Sequence, residues 1–312
     1  MTTRSPVGQD TVEQALSRLV DTVRRAHDEL CSLLSRQDHA KNDRLADWLY
    51  AHWYSCPATD WDCAPIQPGR TNLVSALRAS LAATGRWERG WVALQSMPNN
   101  ACLVGRRQLT RIVPSGDYAN IARLGVPVAP GDGLAVLNTL DWVDEPPGFW
   151  GARSPDADPS HPLKRIYWSV GWDCVSIVLR RLVPVLDAVA KPWSLKCPTH
   201  AAEFARIDSL VVYVAQADWP VFESPIHALA PELASYLRDD VPPLTLLLAR
   251  GVALADSPSQ TQSFGQNRCA ALAEGVRTLL VHTGVERSEA IALLKESLRA
   301  SGIDPAKPWV CG

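Results

Sequence analysis

Leu163-Lys164-Arg165-Ile166-Tyr167-Trp168-Ser169-Val170 is the stretch whose reading decides the fold. It reads as a strand, and a two-residue period puts Arg165, Tyr167 and Ser169 on one face. Lys164, Ile166 and Trp168 take the other. A helix is expected next, over 172–190, where Val175, Val178, Leu179, Leu182 and Leu186 form an apolar stripe. Pro184 is expected to bend it. Further strands are expected at 193–197, 208–215 and 244–249. A helical stretch at 224–238 lies among them, and helices at 264–282 and 288–301 close the chain.

Upstream, the first ten residues read as a loose tail and Thr11-Val12-Glu13-Gln14 as a capping box. Val12, Leu16, Leu19, Val23, Leu30 and Leu34 recur at helical spacing, predicting one helix to about Ser35. A second helix is expected at 40–54, with Leu45, Trp48, Leu49 and Trp53 on one side. A Cys/Pro/Gly loop covers 55–70, and a third helix runs from Asn72 to Gly85 over about 72–83. The character changes at 86: segments 90–96, 101–105, 108–113 and 133–139 read as an antiparallel meander. Residues 144–162, rich in proline and acids, read as a long loop. The fold class is α+β: helices first, a mixed or antiparallel central sheet, helices last. The domain reading is a helical N-terminal region, 1–85, followed by an α+β region, 86–312.

The 312 residues hold 46% hydrophobic and 21% charged side chains, which excludes a wholly disordered chain. No apolar run reaches the ~18 residues of a membrane helix. A net charge of −2 gives no global basic field, so neither nucleic acid nor an anionic membrane is an expected partner. Arginine supplies 25 of the 31 basic residues; it is the side chain that grips phosphate and carboxylate in two-pronged fashion. None of the eight cysteines has CxxC spacing. Cys56 and Cys63, with His52 nearby, make a poor zinc site because no second ligand pair follows. No metal and no cofactor is expected. The polar opening residues show no signal peptide, so a reduced, cytoplasmic protein is the default.

Several residues are candidates for chemistry. Arg165 and Tyr167 on one strand face form an anion-binding pair; the alternative is an amphipathic edge strand with its polar side in water. Lys196 shares a strand face with Ser194, followed at once by Pro198 and His200. A lysine in an apolar site can lose its proton and act as a base; the alternative is a strand-end lysine reaching solvent. Arg206 precedes a strand, where it can reach over a sheet, and Asp208 is either a turn residue or an orienting partner for a neighbouring arginine. Ser263-Phe264-Gly265-Gln266 is a second capping box. The helix N-terminus, with Arg268 one turn inside, can hold a phosphate; a capped helix with a surface arginine is the alternative.

Four runs carry a resemblance: RIYWSVGWDCVSIVLRRLVPVL, PWSLKCPTHAAEFARIDSLVVYV, PPLTLLLARGVALADSPSQTQSFGQNRCAALAEGV and GIDPAKPWV. Over about 163–310 they resemble the HopA-type effector family, named after a bacterial type III secreted effector. SFGQNRC and the lead-in from Gly251 to Pro258 are the most specific part. The family's relatives in ribosomal peptide biosynthesis are similar to the lyase component of class V lanthipeptide (lanthidin) synthetases. The resemblance implies that a separate kinase phosphorylates Ser or Thr in a precursor peptide carrying a leader. The lyase then eliminates phosphate, leaving dehydroalanine or dehydrobutyrine, without metal.

That chemistry needs a base for the α-proton, cations for the phosphate and an acid for the leaving oxygen. By resemblance, Lys196 is the base; Arg165, Arg206 and Arg268, near the Ser263 helix start, are the phosphate clamp. Tyr167 and His200 are the acid or orienting groups. The rival expectation is a non-catalytic, effector-like or scaffold protein that holds a peptide for a kinase. The N-terminal helices are expected to serve partner contacts.

Overall fold

The computed structural model describes residues 12–35, 41–57, 71–81, 85–107, 109–123, 127–144, 148–154, 159–258, 262–282 and 284–311. The chain forms two compact units, Met1–Ser80 with Val143–Gly312, and Leu81–Trp142. The N-terminal helices therefore belong to the same unit as the C-terminal half. They are α1 (Val12–Arg25), α2 (His27–Ser35), α3 (Lys41–Leu49) and α4 (Val74–Arg78). Ala15, Leu16, Leu19, Val20 and Val23 form the buried stripe of α1. The single helix expected over 11–35 is two, interrupted at Ala26; the Thr11 cap lies outside the described residues. The helix expected over 72–83 is only α4. Its start is diverted because Asn72 bridges to His200 and the Leu73 N–H donates to the Thr199 carbonyl at 2.8 Å.

The smaller unit is antiparallel as expected, but only its first three strands run as a meander; its last strand returns to pair with its first. It contains β1 (Gly85–Ser96), β2 (Cys102–Arg106), β3 (Leu109–Val113), β4 (Tyr118–Asn120) and β5 (Gly133–Thr139) in the order β3-β2-β1-β5-β4. Trp91, Ala93, Cys102, Val104, Val113, Leu134 and Val136 fill its core. The Arg111 guanidinium lies 4.7 Å from the Trp91 ring centre.

The larger unit is built on a seven-stranded sheet in the order β11-β12-β8-β10-β9-β7-β6. Its strands are β6 (Asp141–Asp144), β7 (Phe149–Arg153), β8 (Leu163–Trp168), β9 (Trp193–Pro198), β10 (Leu210–Ala215), β11 (Leu246–Ala249) and β12 (Val252–Asp256). Helices α5 (Val175–Ala188), α6 (Trp219–Leu233), α7 (Phe264–Val281) and α8 (Arg287–Ala300) complete it. The fold is α+β, with central pairing that is antiparallel.

Strands β4, β6, β7 and β12 lie outside the expected set, and β7 and β12 bear on the central sheet. Residues 144–162 are not all loop: β7 pairs with β9, burying Trp150 and Ala152. The neighbouring prolines masked this four-residue apolar pattern. β12 lies in the lead-in after Gly251, whose φ of +68° makes the tight turn from β11. A Cβ there would stand 2.7 Å from that of Leu237, so only glycine fits.

On one sheet face, register aligns Ala255, Arg165, Tyr213 and Ser194 as one row, and Ala253, Tyr167, Val211 and Lys196 as the next. The N- and C-terminal helices cover this face. Leu49, Trp53, Tyr54, Phe264, Cys269 and Leu272 share one core with Tyr167, Val211, Ala253 and Ala255. Ile166, Trp168, Leu195 and Val212, at the alternate positions, are also fully buried. Among the described residues no helix is long and apolar enough to cross a membrane.

Candidate anion site

A cavity of about 40 Å³ lies over those two rows. A water needs roughly 10–15 Å³ on this measure, so the cavity admits a few waters or the tip of one side chain, not a peptide backbone. Arg165, Tyr167, Lys196, Arg206 and Ser263 all line it. Five of the seven residues expected from sequence therefore converge.

Strand parity delivers the first three. Arg165 is 8% exposed, yet it meets only neutral partners. Its Nε and Nη2 donate to the Ser257 hydroxyl at 3.1 and 3.0 Å, and Nη2 donates to the Gln262 carbonyl at 3.2 Å. The guanidinium lies 5.3 Å from the Tyr213 ring centre. Two places along on the same face, Tyr167 is buried. Burial pushes its phenol up to about 12, against the opposing pull of Arg165, so it is a proton donor at neutral pH. On the far side of β10, Lys196 Nζ lies 4.8 Å from the Phe149 ring centre and 5.9 Å from that of Tyr213. Among the described residues neither Arg165 nor Lys196 has a carboxylate partner.

Arg206 arrives differently. It is closed onto Asp208, which it meets through Nε and Nη2 at 2.9 Å each. Tyr50 completes the cluster: Arg206 Nη2 donates to its oxygen at 2.7 Å, and its hydroxyl donates to Asp208 Oδ2 at 2.9 Å. Burial alone would raise the Asp208 carboxyl, but Arg206 outweighs it and holds the acid below its usual range. Of the two readings of Asp208, the orienting partner is the one found.

Two expected residues are not brought in. Arg268 does not line the cavity. Buried to 1%, it donates from Nε to the Pro308 carbonyl at 2.7 Å and from Nη2 to that of Val310 at 3.0 Å. It ties the C-terminal segment to α7 through the Pro308 and Val310 carbonyls. His200 is equally absent from the lining. It caps a short helical turn, and its Nδ1 lies 2.9 Å from the Thr199 hydroxyl, with the chain there pairing to Asn72. Ser263 is the α7 cap, its hydroxyl accepting from Gln266 N–H at 3.1 Å in a complete capping box. Cys63 lies outside the described residues, and among those described no cluster of His, Cys, Asp or Glu could hold a metal.

Sequence reasoning missed Tyr50, Tyr54 and Phe149 in the lining. Tyr50 and Tyr54 sit on a π-helical turn, Tyr50–Tyr54, closed by the Ser55 N–H donating to the Tyr50 carbonyl at 3.0 Å. Their rings stack with centres 5.4 Å apart. The run Trp48-Leu49-Tyr50-Ala51-His52-Trp53-Tyr54 carries the signal. A helix whose apolar stripe is already filled by Leu45, Trp48, Leu49 and Trp53 has two further aromatic rings to place.

The family model described as the HopA1 effector protein family matches residues 147–310. The span holds every lining residue except Tyr50 and Tyr54. The fold is similar to the structure of the effector protein from Pseudomonas syringae pv. tomato strain DC3000, at 15% identity and a TM-score of 0.43, covering 94% of this chain and 98% of that one. It is similar also to the structure of the effector protein from Pseudomonas syringae pv. syringae strain 61, at 13% identity and a TM-score of 0.49, covering 97% and 100%. No curated protein matches the chain.

Proposed function

Because the chain belongs to the HopA1 effector protein family, we propose that it is an effector-like member whose cavity receives a phosphorylated Ser or Thr side chain and eliminates the phosphate. The substrate is a precursor peptide with a leader, phosphorylated by a separate kinase, as in lanthipeptide-type biosynthesis. One observation carries the reading: Arg165 and Tyr167 on β8 and Lys196 on β9, the two strands flanking β10, share one face of the sheet and line one small cavity.

The roles follow from chemistry. A phosphomonoester carries about −1.5 to −2 charge at neutral pH, and Arg165 is a buried cation whose hydrogen bonds go to a hydroxyl and a carbonyl. Lys196, through its amine, takes the α-proton. The Cα–H electron pair becomes the Cα–Cβ double bond, the Cβ–O bond breaks, and phosphate departs with that pair. Tyr167, protonated, stands beside Arg165 to donate to the leaving oxygen. Arg206 is neutralised by Asp208 and shapes the wall. The products are dehydroalanine from Ser and dehydrobutyrine from Thr, and no metal or cofactor enters the scheme.

Mass spectrometry of a phosphothreonine precursor incubated with the protein tests this directly. Loss of phosphoric acid with the parent, and retained phosphate with Lys196→Ala, is expected, since a general base contributes roughly 10²–10⁴-fold. A parent protein that never eliminates phosphate, even with kinase and leader present, would leave a phosphopeptide-holding scaffold in place of the lyase.

A further inference from the structure

We propose that the hydroxyl of Tyr54, supplied by the N-terminal helices, is a ligand-contacting group of the anion cavity and donates a hydrogen bond to a phosphoryl oxygen of the bound ester. The inference rests on the phosphoester reading and extends it to a part of the chain outside the span matched by the family.

Three independent features point to a ligand. First, Tyr54 is 1% exposed and lines the cavity, and its hydroxyl makes no well-formed hydrogen bond, the Tyr167 phenol being the polar group beside it. A buried, unsatisfied hydroxyl is costly, and native folds keep one where something else satisfies it. Second, the ring is delivered by a π-helical turn, a helix distortion concentrated at functional sites. Third, the fold makes room for it. Gly265 in the first turn of α7 has no side chain where a Cβ would stand 2.6 Å from Tyr50 Cε2 and closer still to the Tyr54 ring.

The electrostatics fit a donor. Burial, then the neighbouring Tyr167, drives the Tyr54 phenol well above its usual value. It stays neutral at physiological pH and can only offer its proton to an anion. Tyr50, one turn earlier, spends its hydroxyl on Asp208, whereas the Tyr54 hydroxyl has no carboxylate partner and only the neutral Tyr167 phenol beside it.

The test uses the full chain, inorganic phosphate and a phosphothreonine peptide, with thermal stabilisation and calorimetric affinity as readouts. Tyr54→Phe keeps the ring packing against Phe264 and removes only the oxygen. Without ligand it should melt at or above the parent temperature, because an unsatisfied buried hydroxyl is gone. Its affinity for both probes should fall by about 10–100-fold, the range for one hydrogen bond to a charged group. In parent protein carrying ¹³Cζ-tyrosine, the Tyr54 resonance, assigned by its absence from the variant, should shift on phosphate addition. Equal affinities in parent and variant, or a static Tyr54 resonance while phosphate binds, overturns the Tyr54 assignment alone. A ligand-free variant melting well below the parent overturns it too, by making the hydroxyl structural. A parent that binds neither probe overturns the phosphoester reading together with it.

Discussion

Arg206 and Asp208 lock each other in a two-pronged ion pair, Nε to Oδ1 and Nη2 to Oδ2, both at 2.9 Å, with the Tyr50 hydroxyl seated on the same Oδ2. The pair joins the start of β10 to the π-helical turn of the N-terminal helices. It sets where Tyr50 stands, and through the stacked rings where Tyr54 stands. A cation satisfied this way has little charge to offer a ligand, so the attraction for an anion falls to Arg165, whose acceptors are neutral. Of the three arginines grouped by sequence as one clamp, the proposed reading makes Arg165 the binder and Arg206 a positioner, while Arg268 lies outside the cavity lining.

Asp208→Asn should destabilise the protein at neutral pH by about 3 kcal/mol, the low end for breaking a buried pair, since Arg206 keeps 32% of its side-chain exposure. The pH dependence has a definite sign. The folded-state acid lies below its unfolded value near 3.9, so its stabilisation is present above about pH 4 and lost as pH falls towards the folded value. Urea unfolding should show parent and variant converging below pH 4. A constant gap down to pH 2 would mean that the carboxylate charge is not what the site uses.

Gly265→Ala tests the close approach of α7 to the tyrosines. In a free helix the change is favourable by about 1 kcal/mol. Here the new methyl would collide with both rings, and overpacking costs typically 1–3 kcal/mol. The expected result is a lower melting temperature and a weakened anion site. A stabilised variant with unchanged phosphate affinity would show that the rings have room to withdraw.

Much of this was legible from residue spacing. A two-residue period was enough to put Arg165 beside Tyr167, because a strand has only two faces and an alternating chain cannot hide which is which. The Ser263 capping box was equally plain, since its donors and acceptors lie within four residues. What failed was long-range. Arg268 looks like a surface arginine behind a helix cap, and nothing local says that the carbonyls of Pro308 and Val310 come back to meet it. Strand β7 was hidden among prolines, and its partner, β9, is some forty residues away. Tyr54 escapes a reading by period because a π-turn shifts a side chain off the stripe that a 3.6-residue period predicts.

High pH should unfold the protein through its tyrosines. Tyr167 is pushed up to about 12 and Tyr50 and Tyr54 well above the usual value, in each case chiefly by burial. Their unfolded phenols ionise near pH 10, where the folded ones stay neutral. Stability is therefore complete below pH 10 and falls as pH rises from there towards the folded values, by up to about 1.4 kcal/mol per pH unit for each tyrosine. Tyr167→Phe should flatten that slope by about one third. An unchanged slope would show that Tyr167 is not protected from ionisation.

Arg165 and Arg268 are both buried arginines, and their variants should fail in opposite ways. Arg268 satisfies its guanidinium on backbone carbonyls of the C-terminal segment and lies 4.4 Å from the Phe264 ring centre. Arg268→Ala strips those contacts and should cost about 3 kcal/mol, two charge-assisted bonds at roughly 1.5 each. Hydrogen exchange should rise first across 303–311, the segment it holds. The surviving folded fraction should still gain melting temperature on adding phosphate, because the cavity is intact. Arg165→Gln keeps a donor for Ser257 and removes the charge, so it should fold with a modest change in stability and lose the phosphate-dependent gain. Thermal melts of the two variants with and without phosphate separate the cases. Phosphate stabilisation retained by Arg165→Gln and abolished by Arg268→Ala would move the anion site from the sheet face to the α7 terminus, and the elimination chemistry assigned to Lys196 and Tyr167 would lose its phosphate.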